Sequence, residues 1–155
     1  MTTAAELIAR LDLAPLPGEG GWFRETWRTE AGSAILYLLS GDADSFSALH
    51  RLPTDEIFHF YLGDPVEMLE LHPGGRSEVV ILGTDLTAGQ RVQHTVPAGV
   101  WQGSRLAAGG DWALMGTTMA PPFRFPDYEP GGRDALVAGW PDAAGRIRLL
   151  TRQMG

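Results

Sequence analysis

The chain has 155 residues, 44% hydrophobic and 20% charged, with a formal net charge of -7. That suffices for one domain with a real core, and an acidic chain without a dense basic cluster excludes nucleic-acid backbones as partners. Cys and Lys are both absent, so all 12 basic residues are arginine, which removes disulfides, zinc–thiolate sites, cysteine nucleophiles and lysine Schiff bases.

In chain order, the first predicted element is a short helix in "TAAELIARL". Thr3 and Glu6 stand at capping-box spacing, and Leu7, Ile8 and Leu11 form an apolar stripe. "APLPGEGG" then breaks the helix. From Trp22 to about Phe125 the signals are short runs: "WFRETWR", "SAILYLL", "SFSALH", "EIFHFYL", "VEMLELH", "EVVIL", "QHTV", "VWQGSRL" and "DWALMGTTM". Turn residues separate nearly all of them. "HPGGR" lacks the strand-to-helix setting of a phosphate loop and reads as a hairpin turn. Such closely spaced strands predict an all-β antiparallel sandwich or barrel. "GGRDALVAGW" and "AAGRIRLLTRQ" return to helical spacing. The expectation is one domain over residues 1–155, with a β core over about 22–125 and a helical segment over about 131–152.

No apolar run approaches the roughly 20 residues of a membrane span. The first residues carry no basic stretch followed by an apolar one, so no secretory leader is expected. The expected location is cytoplasmic, without membrane contact.

Chemistry concentrates in "HRLPTDEIFHFYLG", His50 to Gly63. Strand alternation puts Phe46, Ala48 and His50 on one face, and Glu56, Phe58 and Phe60 on one face of the next strand. If those faces line a barrel interior, His50, Glu56 and Gln102 meet near one mouth, above an aromatic wall. Arg51 and His59 fall on the opposite faces. His72 and His94 read as ordinary turn and strand-edge residues.

His50, Glu56 and Gly63 also fit the spacing of the first cupin motif, with Leu52 at its second histidine position. "VPAGVWQGSRL" is similar to the second motif: Pro97 and Gly99 match, Gln102 replaces the histidine and Leu106 the asparagine. With "EGGWFRETWR", "FSALHRLPTDEIFHFYLGDP" and "MAPPFRFPDYE", nearly the whole chain resembles the cupin-five family, a domain of unknown function. The resemblance implies a double-stranded β-helix jelly roll with short terminal helices. Typical metallo-cupins hold iron, manganese or zinc with three histidines and one glutamate. Only His50, Glu56 and the poor donor Gln102 remain here, so no metal cofactor is expected. Metal-free cupins of the sugar-nucleotide epimerase type pair a histidine base with a tyrosine acid. That resemblance makes His50, Glu56 and Tyr37 the catalytic candidates, with Tyr61 set aside because it shares the His59 face.

Gln102, Phe58, Phe60 and Arg24 are the candidate ligand-binding residues. For Arg24 an anionic ligand stands against a cross-strand ion pair. "MAPPFRFPDYE" either covers the barrel mouth or braces a dimer. A homodimer is expected because open sandwiches leave strand edges needing cover, and "WFRETWR" is apolar enough to pair across a two-fold axis. Three functions stay open. The chain transfers protons on a small, carbohydrate-like metabolite without metal, binds a small ligand without turnover, or works as a metal-dependent isomerase or oxygenase.

Overall fold

A computed structural model describes residues 1–152. The opening helix α1 spans Ala4–Arg10, and Thr3 caps it by accepting a hydrogen bond from the Glu6 backbone N–H (3.2 Å). The strands are β1 (Ala14–Pro15), β2 (Trp22–Arg28), β3 (Ser33–Ser40), β4 (Ser47–Arg51), β5 (Glu56–Gly63), β6 (Val66–Leu71), β7 (Ser77–Leu82), β8 (Gln93–Val96), β9 (Trp101–Leu106), β10 (Trp112–Met119) and β11 (Glu129–Pro130). Helices α2 (Arg133–Gly139) and α3 (Ala144–Leu149) follow, joined by a 3-10 turn. The predicted run "AAGRIRLLTRQ" ends on Gln153, which lies outside the described residues.

The strands form two antiparallel sheets in the orders β1-β2-β3-β10-β5-β8 and β11-β4-β9-β6-β7. From β3 onward the chain crosses from one sheet to the other at every connection except the β6–β7 hairpin, the pattern of a jelly roll. Alternation along β6 shows how the sequence builds three layers. Val66 and Met68 join the cluster between the sheets, whereas Leu69 and Leu71 join a second cluster with Leu136 of α2 and Ile147 of α3. A strand apolar on both faces is what a covered sheet demands. On the other outer face, Leu7 of α1 packs on Leu38 and Leu114. The helices therefore cover sheet faces and leave the interior to the strands.

Glu70 is the polar exception on the inner face of β6. In register it neighbours Gln102 on β9 and Glu78 on β7, and Gln102 in turn opposes His50 on β4. One row of polar residues thus crosses the second sheet.

Gly63, at the end of β5, has φ +100, and a Cβ there would stand 2.4 Å from the Trp112 carbonyl oxygen. Only glycine allows that conformation and that approach together. Phe60 faces inward, as alternation predicts, but packs into the core away from the cavity described below. His59 faces outward, its ring near-parallel to that of Tyr61 and Nε2 3.0 Å from the Thr118 hydroxyl.

Candidate functional site

A cavity of about 80 Å³ lies between the sheets, bounded by β2, β3, β4, β5 and β10 and by two loops. His50 and Glu56 reach it from β4 and β5, joined by Leu52, Phe58, Tyr37 and Thr117. The loop before β2 supplies Glu19, and the proline-rich loop after β10 supplies Phe123, Phe125 and Tyr128. Of the two readings of "MAPPFRFPDYE", the one at the cavity mouth matches this placement.

His50 is 2% exposed, and its Nδ1 lies 2.7 Å from the Ala48 carbonyl oxygen. A carbonyl only accepts, so Nδ1 carries the proton and Nε2 of the neutral ring holds the lone pair. Nε2 faces the Glu19 carboxylate at 3.7 Å, and Ser47 donates to the other Glu19 oxygen at 2.8 Å. Tyr128 stacks on the imidazole at 5.0 Å between ring centroids, and Phe125 stacks on Tyr128 at 6.3 Å. Three near-parallel rings therefore run from buried His50 to Phe125, which is 70% exposed.

Glu56, the second catalytic candidate, does not orient the imidazole. The Ala48 carbonyl and the Tyr128 ring hold it, and the carboxylate facing it is that of Glu19. Glu56 instead accepts a hydrogen bond from the Gln102 side-chain amide at 2.9 Å. Burial raises its pKa, with His50 partly offsetting this and the Glu19 charge adding to it. Gln102 is buried and does not line the cavity, so its contact is with Glu56 rather than with a ligand. Tyr37 lines the cavity, but its hydroxyl donates to the Gly20 carbonyl at 2.6 Å. Burial and the Glu19 charge also push its pKa well up, so it is poorly placed to release a proton. Arg24 is absent from the lining; its guanidinium donates to the Leu11 carbonyl at 3.3 Å on the far face of β2. The residues of β2 that do line the cavity are Phe23 and Glu25.

Sequence reasoning missed Glu19 and Tyr128. Glu19 sits in a glycine–proline break without periodicity, and its only signal was an acid isolated in "LPGEGG". Gly21 (φ +77) leaves no room for a Cβ beside the Tyr37 ring, which lets that segment lie against the cavity. Burial and the Glu19 charge hold the Tyr128 phenol above its ordinary pKa, so it stays protonated as a hydrogen-bond donor.

His72 and His94 are not ordinary turn and edge residues. Both contact Glu70, which is 2% exposed: His72 Nε2 at 3.0 Å from one oxygen, and His94 Nε2 against the other. Arg91 donates to His94 Nδ1 at 3.0 Å, which leaves the His94 proton on Nε2, facing Glu70. Burial alone would raise the Glu70 pKa, but the two imidazoles outweigh it and the net shift is downward.

The metal set of a typical metallo-cupin does not fit these residues. Leu52 offers no donor and lines the cavity with carbon, and the Gln102 amide is committed to Glu56. Among the described residues, ligand atoms of Glu70, His72 and Glu78 converge within 4.8 Å, whereas those of His50, Glu19 and Glu56 do not.

Solved structures similar to this one include a hypothetical protein from Leishmania major, 27% identical with a TM-score of 0.89 over 98% of this chain and 100% of that one. A Shewanella oneidensis protein is 32% identical, also at 0.89, over 98% of this chain and 99% of its own. Oxalate decarboxylase from Bacillus subtilis is 14% identical at 0.59, and 90% of this chain matches 37% of it, a likeness of fold alone. No curated protein sequence matches the chain. The family model described as "Cupin superfamily (DUF985)" matches residues 5–130. With the two-sheet jelly roll and the near-complete overlap with the Shewanella protein, that match shows that the chain belongs to the DUF985 family of the cupin superfamily.

Proposed function

We propose that the chain binds a small molecule in the cavity between its sheets and that His50 accepts a proton from it. One observation carries this reading: a buried imidazole, fixed through Nδ1, turns its Nε2 toward a cavity. A histidine kept only for packing has no need of a carboxylate 3.7 Å from its free nitrogen. Such concave, mostly apolar sites with a few convergent polar groups are the usual form of small-molecule sites. Glu19 stabilises the imidazolium formed when Nε2 takes the proton. Tyr128, stacked on the ring, replaces Tyr37 as the phenol beside the reacting atoms.

Native mass spectrometry of gently purified protein identifies the molecule retained, and solvent-deuterium exchange into that molecule reads proton transfer. The expected result is exchange that His50→Gln slows by about 100-fold or more, while His59→Gln leaves it unchanged. Retention of a molecule with exchange indifferent to His50→Gln favours binding without turnover. No retained molecule, and no effect of His50 on any binding, overturns the proposal.

A further inference from the structure

The cavity's lining carries a charge signature that narrows its ligand. Glu19, Glu25 and Glu56 all reach it, and among the described residues no arginine does; the chain has no lysine. Arg152 lies near Glu19 but donates to the carbonyls of Gly18, Glu19, Asp44 and Phe46, and stacks over Phe46. Arg28 neutralises Glu25 at the rim, at 2.8 and 2.9 Å. Among the lining residues, the charge left to act on a ligand is therefore the Glu19 carboxylate, since burial favours the neutral form of Glu56.

An anion entering this space meets the Glu19 carboxylate and finds no cation among the described lining residues. That disfavours phosphate, carboxylate and nucleotide-sugar ligands. Aromatic rings supply much of the remaining wall, and their faces are electron-rich, so they attract a cation and repel an anion. The hydrogen-bonding groups at the base have the same preference. Glu19 and the bare Nε2 of His50 both accept, which suits a ligand that brings N–H donors.

We infer that the ligand is a small organic ammonium, a protonated primary or secondary amine. Its N–H groups point at Glu19 and at His50 Nε2, and its carbon skeleton lies against Phe58, Phe123 and Tyr128. This inference rests on the cavity being the ligand site. The Phe125 ring, exposed at the end of the His50–Tyr128 ladder, is placed to cover an entering cation.

Three size-matched probes test it on the full-length protein: butylammonium, butanol and butyrate, each titrated while NMR follows the His50, Phe58 and Tyr128 ring resonances. The inference expects butylammonium to bind at least tenfold more tightly than butanol, and butyrate to leave the rings unperturbed. Glu19→Gln removes most of that preference, whereas Glu67→Gln, at an acid outside the lining and paired with Arg146, changes it little. Butanol binding as tightly as butylammonium, or butyrate binding best, overturns the ammonium assignment and leaves the cavity as the ligand site. Saturating amounts of all three without effect on these rings overturn both. If Glu19→Gln does not fold, the charge ranking on the unmutated protein decides alone.

Discussion

Glu56 and Glu70 are buried carboxylates in one interior, each a neighbour of Gln102, and their surroundings push them in opposite directions. Burial raises the Glu56 pKa beyond what His50 can offset. The folded state therefore holds that proton more tightly than the unfolded chain, and its stabilising effect is lost as pH rises through the raised pKa. Glu70 accepts from two imidazoles and its pKa falls. It contributes stability above the ordinary carboxylate range, lost as pH falls through the lowered pKa. Thermal melts from about pH 4 to pH 8 should separate them. Glu56→Gln should gain on the unmutated protein as pH rises. Glu70→Gln should cost about 1–3 kcal/mol at neutral pH, with the loss shrinking in acid. If Glu56→Gln loses ground with rising pH, the fold does not raise the Glu56 pKa.

The strands illustrate what alternation can and cannot convey. Each of the nine predicted runs overlaps a strand, with ends displaced by no more than two residues, because a period of two and flanking turn residues are local properties. β1 and β11 were not legible: each is a two-residue pairing, with β2 and β4 respectively, that exists only once distant chain is folded beside it. His50, Glu56 and Phe58 were legible as cavity residues for the same reason that the strands were. Glu19 and Tyr128 were not, since both come from loops whose approach is set by tertiary packing. Arg24 misled because parity places it opposite Phe23 and Glu25. At the end of β5, Gly63→Ala should cost about 1–3 kcal/mol for the backbone conformation alone, and more for the contact with Trp112. Urea unfolding reads the loss, and an unchanged midpoint would show that β5 ends differently. On β2, β1 pairs with Trp22 and Phe23 only, so Arg24–Arg28 have no strand partner on that side among the described residues, and Trp27 is 48% exposed. We propose that a second copy pairs along this edge. Sedimentation at micromolar concentration should show a dimer that Trp27→Glu weakens; a monomer at that concentration removes the proposal.

Across the whole molecule, the helices and apolar clusters cover the sheets from outside, while a polar row from His50 through Gln102 to Glu70 and Glu78 crosses the inside. No helix among the described residues is long and apolar enough to cross a membrane. The cost of those interior polar groups is offset by hydrogen bonds to Ala48, Glu56, His72 and His94, and among the described residues no buried side-chain nitrogen or oxygen lacks a partner. At the cavity such groups meet open space, and there His50 turns Nε2 inward beside Glu19. The most direct test is nitrogen-15 NMR of the His50 ring near neutral pH, before and after returning the small-molecule fraction released from denatured protein. The fixed contact to Ala48 predicts a ring protonated on Nδ1, with an Nε2 resonance that moves when that fraction is added. A ring protonated on Nε2 alone, or an Nε2 resonance indifferent to the released molecules, would contradict the assignment of this cavity as the functional site.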